Sequence, residues 1–203
     1  MLTFERKQVM DRIDPLPKRL RVAFAAACGE RQLPNYVRTS GFNAIGTPNA
    51  VTRMLGELWD SAERNSFDME KLRRDVDVCD QLIADYNNGT FAGIEFDVAE
   101  DAVASLAYAL DTALSGGSQE TMWAAECASN ALYAYIIERF EVDINAPHAR
   151  SFIYSFPIMQ AELSRQQTDL AELHAAARHP GSEAAVIARI KRRAESDAPS
   201  FFG

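Results

Sequence analysis

Glu30, Arg31, Asn35 and Tyr36 lie within two helical turns of one another, and Arg53 follows at a separation that can return it to them from the next helix. Arginine offers a planar fork of donors that grips a carboxylate or phosphate at two points, and a phenol can add one more hydrogen bond. Placed at a helix break, such a set could hold an anion or a small metabolite. The same residues have a structural use. Arg31 and Asn35 would satisfy carbonyl groups freed where a helix is interrupted, with Glu30 as the partner of Arg31. Residue type alone leaves both readings open.

Other reactive constellations are missing from the sequence. A carboxylate-bridged metal site in a helical bundle would use Glu-x-x-His spacings, which put the ligands on one helix face, and none occurs. His-Glu-x-x-His, glycine-rich phosphate loops, Cys-x-x-Cys pairs and the Gly-x-Ser-x-Gly elbow are also absent. His148 follows a helix-opening proline, while His174 and His179 only roughly share a face, so surface or capping roles suit all three. Cys28, Cys79 and Cys127 are widely spaced and fall on apolar helical faces, as reduced core thiols do. No catalytic residue, metal ligand or cofactor is assigned.

Charge is the more informative signal. The 203 residues carry a net charge of −8, unevenly distributed. Between Asp75 and Asp143 there are 14 acidic residues against one base, Arg139, giving this segment −13 and the remainder +5. A fold that gathers Glu95, Asp97, Glu100, Asp101 and Asp111 on one surface would attract a basic partner. The competing reading is a set of solvated helix faces. An acidic field repels nucleic acid, which disfavours direct binding of it. The basic run Arg189, Lys191, Arg192 and Arg193 suits the C-terminal half of a helix, where cations offset the macrodipole.

The elements that must position these groups all read as helices. A short one spans Thr3 to Ile13 and ends at Asp14-Pro15; a long one follows from Pro17 to Gln32, with Leu20, Phe24, Ala27, Cys28 and Arg31 on one face. Pro34 should stop it, because the residue before a proline leaves the α region, and should start a short segment that Gly41 closes. Thr47-Pro48 reads as the cap of the next helix, with Val51, Leu55, Leu58, Trp59 and Ala62 inward. Leu72, Val76, Cys79, Ile83 and Tyr86 form a stripe on a helix from Asp68 to Tyr86, closed by Asn87-Asn-Gly89. Asp97 with Glu100 resembles a capping box ahead of Val103, Leu106, Leu110 and Leu114, and Gly116-Gly117 ends that helix. Ser118 opens another, with Trp123, Cys127, Leu132, Ile136 and Phe140 on its apolar side. A further helix follows Pro147, is kinked or restarted at Pro157, and presents a polar, partly exposed face from Gln160 to Asp169. Gly181-Ser182 leads into the last. No strand-like alternation is present, so the class is all-α: one compact bundle of about seven to nine helices over residues 1–203, with residues 1–16 as an N-terminal helix and 181–203 as a C-terminal helix and tail.

The ordered motifs Phe24 to Tyr36, Gly41-Phe42, Arg53 to Trp59, the alanine- and leucine-rich Ala99 to Gly116, Phe156-Pro-Ile-Met-Gln160 and Arg165-Gln-Gln167-Thr-Asp-Leu170 resemble the bacterial domain-of-unknown-function family 416. The resemblance covers most of the chain but not Gly181 to Phe202. It implies a compact helical bundle and no established activity.

A composition of 47% hydrophobic and 25% charged residues suits one globular domain with a substantial core. Met1 to Pro17 lacks an apolar signal core and no run reaches the length of a membrane span, so a cytoplasmic protein without membrane association is expected. The expected function is non-catalytic: an acidic helical protein that docks a basic protein, as an immunity protein does when it neutralises a bacterial toxin. The alternative is a metabolite-binding regulator or enzyme using the Glu30 to Arg53 cluster. A homodimer built on Phe201-Phe202 is a third reading.

Overall fold

A computed structural model of the chain describes residues 1–43, 48–88, 94–179 and 181–197, with side chains for all of these except 40–43 and 94–95. Among the described residues there are nine helices and no strand: α1 Arg6–Ile13, α2 Lys18–Asn43, α3 Pro48–Arg64, α4 Met69–Asn88, α5 Ile94–Ser115, α6 Ser118–Arg139, α7 Ala149–Ser155, α8 Pro157–Ala177 and α9 Glu183–Asp197. The all-helical expectation holds, at the upper end of the expected number.

α2 is the axis of the bundle, packed by α3, α5, α6, α8 and α9. Every residue from Val22 to Cys28 is fully buried, which is the pattern of a helix enclosed on all sides. Four of these seven are alanine, so neighbouring helices approach closely without large side chains between them. α5 lies against α2, α4 and α6, and its own alanines at 99, 102, 107, 109 and 113 are buried. α3 contributes the expected inward stripe of Val51, Leu55, Leu58, Trp59 and Ala62, with Met54 added. Leu72, Cys79 and Tyr86 of α4 are buried, whereas Val76 and Ile83 are only half-buried.

Punctuation follows the expected chemistry at several joints. Gly116 ends α5 with φ +74°, and its amide donates to the carbonyl of Thr112 at 2.8 Å, the left-handed cap for which glycine is suited. Pro157 restarts the chain as the first residue of α8, where its missing N–H costs nothing. Burial pushes the thiol of Cys79 up to about 12 and those of Cys28 and Cys127 higher still, so all three are held as neutral thiols.

Elsewhere the structure corrects the expectations. α2 neither stops at Gln32 nor closes at Gly41; it passes through Pro34 to Asn43. An interior proline removes one i to i−4 hydrogen bond and crowds the carbonyl of Glu30, at a cost of about 3 kcal/mol. The turn beyond it buries Asn35, Tyr36 and Thr39, and tertiary burial on that scale outweighs the local preference. Since Pro34 itself is exposed, Pro34→Ala should restore the missing donor and raise stability by about 1–2 kcal/mol, read as a higher urea midpoint at unchanged slope. A lower midpoint would show that the surrounding helix has adapted to the proline ring.

α5 begins at Ile94, so Asp97 and Glu100 lie inside it and form no capping box. Trp123 of α6 is 36% exposed, and Phe140, the residue that follows α6, is 52% exposed. Thr47, Gly89 and the Phe201-Phe202 tail lie outside the described residues.

Candidate functional site

Arg31 is 1% exposed and turns toward α8. Its Nε donates to Glu162 Oε2 at 2.8 Å and Nη2 to Glu162 Oε1 at 3.0 Å, a two-point grip, while Nη1 donates to Asp169 Oδ2 at 2.9 Å. Burial alone would lower the pKa of this guanidinium; the carboxylates Glu162 and Asp169 outweigh that and raise it above its ordinary value. The cluster extends outward. Asp169 Oδ1 accepts from Arg193 Nη2 of α9 at 2.6 Å, and Arg193 and Arg189 both donate to Glu172. Gln166 Nε2 donates to Glu162 Oε1 at 2.9 Å and to the carbonyl of Ala125 at 3.1 Å, which ties α8 to α6. These contacts join α2, α6, α8 and α9 through one buried polar network.

The five residues grouped in the sequence are therefore separated. Glu30 is not the partner of Arg31; it accepts from Trp59 Nε1 at 2.9 Å, and burial raises its carboxyl above the ordinary value. Asn35 and Tyr36 are buried on α2. Arg53 is half-exposed and pairs with Glu57 at 2.7 Å and Asp75 at 3.6 Å, near Lys71, whereas Arg31 pairs with Glu162 and Asp169. The expected partly exposed face from Gln160 to Asp169 is present at Ser164, Gln167 and Thr168, but Glu162, Gln166 and Asp169, only 0%, 3% and 1% exposed, belong to the buried side of the same segment. The basic run of α9 has a different use from the expected one: Arg189 and Arg193 bind carboxylates of α8, and no base stands in the last turn of α9.

The acidic residues of α5 do come together. Asp97, Glu100, Asp101 and Asp111 recur at spacings that place them along one side of the helix. Asp97 is exposed, the others are half-buried, and Glu100 accepts from Asn87 Nδ2 of α4 at 3.1 Å. The side chain of Glu95 lies outside the described residues. Burial raises the Asp101 carboxyl to about 7, with Glu100 and Asp97 adding to the effect. Asp111 is raised by burial and by Asp80 of α4 and Glu120 of α6. Among the described residues, none of Asp97, Glu100, Asp101 and Asp111 has a Lys or Arg partner, although Arg and Lys pair with carboxylates at many other points of the surface. Beside them Tyr108 of α5 packs on Trp123 of α6, with ring centres 5.2 Å apart. Burial raises the Tyr108 phenol, and the nearby carboxylates Asp111, Glu126 and Asp80 raise it further. Asp80, Glu120 and the Tyr108–Trp123 pair were not singled out from sequence, because their approach to α5 depends on how α4 and α6 pack.

Among the described residues no three His, Cys, Asp or Glu side chains converge as metal ligands, and no helix is long and apolar enough to cross a membrane.

Comparison with known proteins gives a family and a fold. A family model described as protein of unknown function (DUF416) matches residues 8–203. The match includes the segment after Gly181, which the resemblance read from sequence left out. A crystal structure of a DUF416 family protein from Shewanella baltica OS155 superimposes with a TM-score of 0.77 at 20% sequence identity, covering 96% of each chain. At that identity the likeness concerns the fold. No curated protein matches.

Proposed function

The chain belongs to the DUF416 family, and from that premise we propose that it is a binding protein whose acidic α5 face docks a basic partner protein. One observation carries the reading: a row of carboxylates without a Lys or Arg partner among the described residues, flanked by the half-buried Tyr108 and the exposed Trp123. Carboxylates packed against one another and partly removed from water destabilise the fold, as the raised Asp101 and Asp111 record. A surface needed only for solubility would intersperse both signs. Tyr108 and Trp123 supply flat faces over which a lysine or arginine can sit, so the face offers both Coulomb attraction and a cation–π contact to the same side chains. A toxin neutralised by an immunity protein is one partner with this chemistry.

Affinity capture from native extract tests the reading, with a matched charge-reversed protein, Asp97→Lys with Glu100→Lys. The expected result is one basic protein held in stoichiometric amount at low salt and lost from the reversed protein. With the purified pair, reversal should slow association by about tenfold or more, and the gap should narrow as salt rises. Equal retention by the reversed protein would dismiss the acidic face as the docking site.

A further inference from the structure

Away from that face, a cleft of about 460 Å³ opens where the start of α1 meets α6 and α7. Its size falls within the roughly 300–1,000 Å³ of small-molecule sites. We propose that this cleft binds a small organic monoanion with a planar aromatic body, of the aromatic carboxylate class.

The charge count argues for a single negative charge. In a chain of net charge −8, this cleft gathers Arg6, Lys7 and Arg150 against Glu5 and Glu126. Arg6 Nε donates to Glu126 Oε1 at 2.7 Å and Arg150 Nη2 to Glu5 Oε1 at 3.3 Å, which leaves Lys7 as the cation without an ion pair among the described residues. Both arginines are well exposed, at 68% and 65%, and exposed pairs of this kind exchange partners at little cost. A carboxylate can therefore take Lys7 and share the Arg150 fork. A dianion such as phosphate would meet the Glu5 and Glu126 oxygens with one charge too many.

The walls supply the rest of the recognition. The Arg150 guanidinium lies over the Tyr154 ring, 5.6 Å from its centre, and Tyr133 meets Tyr154 edge-on at 6.3 Å. Tyr154 is buried and fixed, whereas Tyr133 is half-buried, so the pair presents a held aromatic wall on which a flat ring can pack in the offset or edge geometry that aromatic groups prefer. Guanidinium above and aromatic surface beside it match a carboxylate joined to a ring. At the floor lies Ser129, 4% exposed, whose hydroxyl accepts from Gln166 Nε2 at 3.4 Å, and the same Gln166 nitrogen donates to Glu162. The floor is thereby anchored to the buried Arg31 network, and the cleft keeps its shape without a ligand.

The experiment titrates the full chain with benzoate, phenylacetate and indole acetate, following heteronuclear NMR shifts, with phenylacetamide and inorganic phosphate as controls. Saturable binding of at least one of the carboxylates is expected, with shifts centred on Lys7, Tyr133 and Arg150. Phenylacetamide and phosphate should each bind roughly tenfold or more weakly than the best carboxylate. Arg150→Gln should weaken that carboxylate by about tenfold, and the exposed Lys7→Gln by several-fold, at unchanged melting temperature. No saturation by any of the three acids at millimolar concentration overturns the proposal. So does phosphate binding as tightly as the best acid, or full affinity retained in both Arg150→Gln and Lys7→Gln.

Discussion

Arg31→Met is expected to lower the unfolding free energy by about 3–5 kcal/mol. The expectation rests on what the substitution leaves behind. Glu162 would keep Gln166 as a hydrogen-bond partner but lose both guanidinium bonds, and Asp169 would retain only Arg193. An ionised carboxylate at 0% exposure without a counter-charge is among the costliest groups a core can hold. Arg53→Ala sets the scale for comparison: its pairs with Glu57 and Asp75 are solvated on the arginine side, and such pairs contribute about 0–1 kcal/mol. Urea denaturation of the two variants separates the cases. A midpoint for Arg31→Met within experimental spread of Arg53→Ala would mean that water enters the α2–α8 interface and that the network is not a dry one. The double substitution Arg31→Met with Glu162→Met removes the guanidinium together with its two-point partner while leaving Asp169 on Arg193. It should be more stable than Arg31→Met alone, a coupling of the sign that contact between the two side chains requires.

That network was hidden in the sequence for a definite reason. Met159, Leu163, Leu170 and Leu173 of α8 are spaced as a core stripe, and Glu162, Gln166 and Asp169 continue the same three- and four-residue steps. Their polarity suits the partly exposed side of this segment; their spacing places them on its buried side. Periodicity was the better guide here, since a guanidinium supplied by α2 makes a polar residue compatible with a core position. Pro34 misled in the opposite sense. Its local preference is genuine, but it competes with burial of Asn35, Tyr36 and Thr39 one turn later, and a helix enclosed on all sides has more to lose by breaking. What was legible depended on one helix at a time: the Val51 to Ala62 stripe, the Gly116 stop, the Pro157 restart and the acidic side of α5. What was not legible required a second helix: the partner of Arg31, the approach of Asp80 and Glu120 to Asp111, and the outward turn of Trp123.

Asp101→Asn is expected to stabilise the protein, by about 2–4 kcal/mol at pH 8, while impairing the proposed function. The folded state, in which Asp101 titrates at about 7 and not at its ordinary 3.8, holds the proton more tightly than the unfolded chain. Its contribution to stability is therefore fully present below about pH 4 and is lost as the pH rises toward 7, at roughly 1.4 kcal/mol for each pH unit between the two values. Asparagine stays neutral throughout. The gain over wild type should be largest above pH 7 and should fade toward pH 4, close to the ordinary value of 3.8, where the folded carboxyl is protonated and little of the difference between the two states remains. Denaturation midpoints at pH 8, 6 and 4 check this, and a gain that does not shrink on acidification would remove desolvation and Glu100–Asp97 repulsion as its cause. The same shift bears on docking. Cations of a basic partner placed over this face favour the ionised carboxylate, so binding below pH 7 must release a proton from Asp101. Wild-type affinity for the partner should fall between pH 8 and pH 6, and Asp101→Asn should bind more weakly at pH 8 with a flatter pH profile. A variant that is both more stable and as tightly bound as wild type would show the α5 carboxylates to be a solvated surface with no part in recognition.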